Sequence, residues 1–160
     1  HDGDFGRRPC EYEIGFQVMR AHGNISPAVS FSQNYRDFWN RSFRISIKQF
    51  EWLADELDDA DSAGRKVIVM CHFPVFPRSC FNLWNDGRVL ELLVQHRCVK
   101  AYFNGHYHEG RYTEYEGVHF VNFKGLVDTP VNSFATVILR GDHIVIDGHG
   151  REPDRTLKIR

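Results

Sequence analysis

The sequence has no long apolar run, no paired cysteine spacing and no excess charge of either sign. Its longest uninterrupted apolar stretch, Val67–Cys71, is far too short to span a bilayer. The four cysteines (Cys10, Cys71, Cys80, Cys98) are scattered without CxxC spacing. Read as unpaired thiols, they favour a reducing compartment and a cytoplasmic location. Twenty Lys and Arg against 21 Asp and Glu leave a net charge of −1. Nothing there carries the electrostatic footprint of a nucleic-acid or membrane-surface binder. Residues 1–10 are charged and lack an apolar core, so no signal peptide is expected in them. Internal repeats and low-complexity tracts are absent. What remains is an ordinary globular composition, 42% apolar and 26% charged over 160 residues. That length suits one domain, burying roughly 70% of the surface its unfolded chain exposes.

What the chain does have is histidine at the ends of buried-strand patterns. Gly105-His106-Tyr107-His108 directly follows the apolar run Cys98–Phe103. Lys66–Met70 is a second such run, and it leads into Cys71-His72-Phe73-Pro74. In open α/β sheets, ligands sit beyond the carboxyl ends of the strands. Neutral imidazole is the commonest side-chain metal ligand. A lone His72 would read as a structural, hydrogen-bonded histidine. His106 and His108 share so small a loop that protonating one opposes protonating the other unless a metal engages them. The three together therefore read as metal ligands. His22, His96, His119, His143 and His149 lack such company and read as non-ligands.

Residues 1–41 show no sustained period and read as loop with short strands. A helix then starts at a capping box, Ser46 with Gln49, and buries Phe50, Leu53, Ala54 and Leu57 at i, i+3, i+4, i+7. Asp55, Glu56, Asp58 and Asp59 form its solvated face, and Gly64 ends it. A second helix over 86–96, with Val89, Leu90, Leu93 and Val94 as its stripe, joins strand 66–71 to strand 98–104. That makes a βαβ unit of right-handed sense. Beyond His108, short segments at 111–115, 118–123, 135–139, 143–147 and 156–159 predict an antiparallel stretch. Arg140-Gly141-Asp142 spells an adhesion tripeptide, but its place between two β-rich runs makes it a hairpin turn.

At this point the residues resemble a family. Cys71-His72-Phe73-Pro74 and Asn104-Gly105-His106-Tyr107-His108 are similar to the last two motifs of the calcineurin-like metallophosphoesterases. Phe43–Leu53 resembles that family's FNG-x-S-x-x-Q-x-x-WL helix. Asn82-Leu83-Trp84-Asn85, Phe123–Pro130 and Gly150-Arg151-Glu152-Pro153 resemble more narrowly its ADP-ribose/CDP-alcohol diphosphatase branch.

The resemblance implies an α/β fold: the C-terminal half of a metallophosphoesterase β-sandwich flanked by helices (α/β/β/α). It makes residues 1–160 a single domain that lacks the family's N-terminal half. It implies two divalent metal ions (Mn, Fe or Zn), with His72 and His106 on one and His108 on the other. The family's other ligands come from Asp-x-His, Gly-Asp-x-x-Asp and Gly-Asn-His, and none of these is complete here. Asp2-Gly3-Asp4 is not the first, and Gly23-Asn24 is followed by Ile25. The third motif often reads Gly-Asn-His-Asp, so His1-Asp2 aligns with its end and makes His1 the candidate catalytic histidine. Phe73, Cys80, Asn82 and Trp84 are the candidate substrate-binding residues, beside a rigid loop built from Pro74, Phe76 and Pro77. Trp84 reads as core beneath the following helix in preference to a base-stacking ring. The implied activity is metal-dependent hydrolysis of a phosphoester or pyrophosphate bond in a small nucleotide-like or phosphodiester substrate. A non-catalytic scaffold of the same fold is the alternative.

Overall fold

The computed structural model describes residues 44–127 and 129–159. The readings made for His1, Cys10, His22 and the loop-rich stretch 1–41 lie outside these residues.

Helix α1 (Ile47–Ser62) begins where the sequence signals it should. The Ser46 hydroxyl accepts the Gln49 backbone N–H at 3.2 Å, and the Gln49 side chain returns to the Ser46 N–H at 3.4 Å. Two N–H groups that a helix start leaves orphaned are thereby satisfied. Leu53, Leu57 and Ala60 are buried, the four acidic side chains named above are exposed, and Gly64 at φ +63° turns the chain away. Strand β1 (Val67–Met70) follows, then a loop, helix α2 (Asp86–Gln95) and strand β2 (Val99–Asn104). β1 and β2 pair in parallel, as a βαβ unit requires. The α2 stripe differs in detail from the expected one: Val89, Leu92 and Leu93 are buried, while Leu90 and Val94 are only partly so. The buried face thus includes Leu92, which packs in the same core as Leu53 and Leu57 of α1.

The C-terminal region is β3 (Arg111–Tyr115), β4 (Val118–Asn122), β5 (Ser133–Leu139), β6 (His143–Gly150) and β7 (Arg155–Lys158). Local pattern found these strands but not their partition. β3 and β4 form an antiparallel hairpin, yet β4 also pairs in parallel with β2, giving a sheet of order β1-β2-β4-β3. β5, β6 and β7 make a separate antiparallel sheet. Arg140-Gly141-Asp142 is the β5–β6 turn, closed by the Arg140 N–H to the His143 carbonyl at 2.9 Å.

Two cores define the layers. Val99, Tyr102, Val118 and Phe120 face the helices and pack with Leu57, Val89 and Leu93. Ala101, Phe103 and Val121 face the other way and pack with Ile144, Ile146 and Leu157 of the second sheet. Every residue of β2 is buried because it lies between neighbours in the sheet and between both cores. The described residues thus show three layers (helices, sheet, sheet) of the four-layer sandwich. No helix among them is long and apolar enough to cross a membrane.

Candidate metal centre

The parallel ladder of β1 and β2 runs on past the strands into the site. The Cys71 N–H donates to the Phe103 carbonyl at 3.0 Å, and the Gly105 N–H donates to the His72 carbonyl at 3.0 Å. These two bonds set His72 and His106 side by side, with ring centroids 5.2 Å apart. Phe73 wedges against both, 4.9 Å from His72 and 4.4 Å from His106. It is 4% exposed, so it is a packed wall of the site and not an open contact surface. Its carbonyl accepts the buried Tyr102 hydroxyl at 2.7 Å, which anchors the chain next to His72 to the central strand.

His106 has φ +64°, a left-handed conformation uncommon for a residue with a Cβ. The turn closes with the Tyr107 N–H on the Gly105 carbonyl at 2.7 Å and the Gly110 N–H on the Tyr107 carbonyl at 3.1 Å. His108 is exposed, and its carbonyl accepts the Gly125 N–H at 2.9 Å. Arg151 in turn donates to the Gly125 and Val131 carbonyls, and buried Glu152 accepts the Lys124 N–H at 2.8 Å. The 123–131 loop is thereby strapped against the histidine turn by the second sheet.

Beneath the turn lie two asparagines that sequence reading passed over. Asn104 and Asn122 are register partners at the ends of β2 and β4, 5% and 4% exposed. The Asn122 amide donates to the Gly105 carbonyl, while its Oδ1 and both polar atoms of Asn104 have no hydrogen-bond partner. Buried polar atoms are almost always satisfied, so orphans here mark a place where a polar ligand, ion or water belongs. Beside them is a cavity of about 440 Å³ bounded by Cys71, His72, Phe103, Gly105 and Phe123.

Of the candidate substrate residues, Cys80 and Trp84 are half-buried in the loop between β1 and α2. Asn82 is tied into the loop itself. It is fully buried; its oxygen accepts from Ser79 Oγ at 2.7 Å, and its nitrogen donates to the Pro77 carbonyl at 3.3 Å and Asp86 Oδ2 at 2.9 Å. With both N–H groups spent it holds the loop and has none left for a substrate. Asn85 does a similar task, bonding both backbone groups of Ile45 and so tying α2 to the start of α1.

His72 and His106 are brought together, but among the described residues no three His, Cys, Asp or Glu side chains converge on a single point that could hold an ion. The other described histidines are engaged elsewhere. His96 bonds Leu92 and Asp58, His119 bonds Tyr112 and Lys158, and His143 bonds Asp142. His149 stacks on Phe134 at 4.6 Å.

Residues 4–110 match the model of the family described as calcineurin-like phosphoesterase. The chain is 38% identical over 159 residues to a manganese-dependent ADP-ribose/CDP-alcohol diphosphatase of Xenopus laevis, covering 94% of the chain and 44% of that protein. It is 31% identical over 158 residues to the protein of the same name in Homo sapiens, covering 94% and 46%. A dimetal phosphatase from Danio rerio superposes with a TM-score of 0.79 at 27% identity, covering 96% of the chain and 52% of that structure. The chain spans about half the length of the curated relatives it matches.

Proposed function

Because the chain belongs to the calcineurin-like phosphoesterase family, we propose that its strand-end imidazoles serve a dinuclear centre. That centre would hydrolyse a phosphoester or pyrophosphate bond in a small, nucleotide-like substrate. The observation that carries the reading is the His72–His106 pair, fixed at 5.2 Å by the β1–β2 ladder above three orphaned amide atoms. Imidazole nitrogen with amide oxygen nearby is a donor set that suits a borderline cation such as Mn²⁺. The relatives' names specify manganese. His72 and His106 would hold one ion and His108 the other. Three imidazoles do not bridge a metal pair, so the bridging carboxylate is to be sought outside the described residues.

When bound, such a pair would withdraw charge from the phosphoryl group and supply a nucleophile near neutral pH. The chain's own residues do the positioning. The Cys71 N–H on the Phe103 carbonyl pins the backbone before His72, and the Gly105 N–H and Tyr102 hydroxyl pin the His72 and Phe73 carbonyls. The Asn122 amide pins the backbone before His106. The Phe73 ring keeps water from one flank of both imidazoles, and the strap from Arg151 and Glu152 holds the loop beside His108. A binding scaffold of the same fold has no use for three imidazoles at strand ends.

The test is metal retention. After Mn²⁺ loading and dialysis, elemental analysis should find manganese in the parent chain and at least about tenfold less in His72→Ala and His106→Ala. Any Mn²⁺-dependent hydrolysis of ADP-ribose should fall in parallel. Equal manganese in parent and variants overturns the assignment.

A further inference from the structure

We propose that Phe81, Tyr107 and Arg111 form a stacking ledge beside the imidazoles that receives the aromatic base of a nucleotide-type diphosphate. The inference rests on the hydrolytic reading above and adds how the substrate is held. Phe81 lies 4.9 Å from the Tyr107 ring at 42° and 6.1 Å from His106 at 70°. The Arg111 guanidinium carbon lies 4.8 Å from the Tyr107 centroid. Three separate segments meet here: the loop after β1, the histidine turn, and the first residue of β3.

The alternative is that these rings are ordinary core, and their surroundings argue against it. Phe81 and Tyr107 belong to neither apolar core, and all three side chains are half-buried, so each keeps open surface. Tyr107 stands between His106 and His108 in sequence, so the same turn carries its ring and both imidazoles. A purine or pyrimidine stacks on such a ring whatever its hydrogen-bonding edge, because every base has a π-face. The relatives are named for substrates carrying two different bases, adenine and cytosine, and a stacking ledge accepts both. Arg111 adds a permanent positive charge beside the ring, favourable both to the π-face and to the phosphates attached to the base. Stacking thus falls to Phe81, one residue before Asn82.

The ledge is tested with AMP and ribose 5-phosphate, which differ only by the base. Binding is followed through the ring-proton resonances of Phe81 and Tyr107 in the whole chain. AMP should shift both rings and bind more tightly than ribose 5-phosphate. Phe81→Leu, which preserves apolar bulk without a π-face, should weaken AMP about tenfold or more and leave ribose 5-phosphate unchanged. Phe81→Trp should restore AMP binding, and Arg111→Ala should weaken both ligands. AMP binding no tighter than ribose 5-phosphate in the parent chain, or equal losses in the Leu and Trp variants, overturns the proposal. Manganese retention in the same samples separates the two readings. Lost base discrimination with metal retained defeats the ledge alone; retained discrimination without metal defeats the hydrolytic reading alone.

Discussion

Tyr102, Cys98 and His106 show how much a single residue decides here. The Tyr102 ring is fully buried against Phe120, and burial raises its phenol well above the ordinary range, so it stays a hydrogen-bond donor to Phe73. Cys98 is 3% exposed, and burial reinforced by the Asp61 carboxylate pushes its thiol from 9.0 up to about 11. A folded value above the unfolded one means that the neutral thiol contributes stability in full below pH 9.0. That contribution is lost as pH rises toward about 11. Thermal melts across this window should show a steeper alkaline decline for the parent than for Cys98→Ala; equal slopes would refute the linkage. His106 carries two demands at once, the proposed metal-ligating ring and a left-handed backbone. Asn tolerates that backbone well among residues with a Cβ. His106→Asn should therefore melt close to the parent while losing metal, whereas the β-branched His106→Val should lose both. The three histidines were legible because they sit at strand ends in sequence. The bonds Asn82 makes within its loop were not legible, because only the folded loop reveals which polar groups are already spent.

Elements were legible wherever their signals are local. The capping box, the α1 stripe and the glycine that ends α1 all lie within about twenty residues, and the helix falls between them as expected. Replacing Ser46 by Ala should cost roughly 1 kcal/mol in denaturant unfolding, since it removes the side-chain acceptor at the helix start. The division of the C-terminal strands between two sheets was not legible. β4 pairs with β2 between residues eighteen positions apart, and nothing in a five-residue alternation names a distant partner. The β5–β6 hairpin ends on Gly150, which has φ +66° and lies against the Asn132 carbonyl, where a Cβ would collide. Gly150→Ala should therefore destabilise by about 2 kcal/mol or more. It should also loosen Arg151, whose N–H bonds that same carbonyl. An unchanged unfolding midpoint would show that the turn relaxes freely.

At the scale of the molecule, a ligand that binds only the folded form raises its stability. Free Mn²⁺ at a hundred times its dissociation constant should add about 2.7 kcal/mol. His72 is exposed, so His72→Ala should erase that gain in calorimetry without lowering the metal-free baseline. An undiminished gain would place the ion elsewhere. The layered architecture was expected from resemblance and the two opposed cores bear it out, because β2 has apolar residues on both faces. That strand also sets how the site moves. Amides in the middle of a doubly covered strand exchange with solvent only when the whole domain opens. The Cys71 and Gly105 N–H groups extend β2's ladder directly into the histidine turn. Their deuterium uptake should keep pace with Tyr102 and Phe103, not with the surface loops. The imidazole pair then has no private route to disorder: it persists as long as the fold does and is lost with it in one cooperative step.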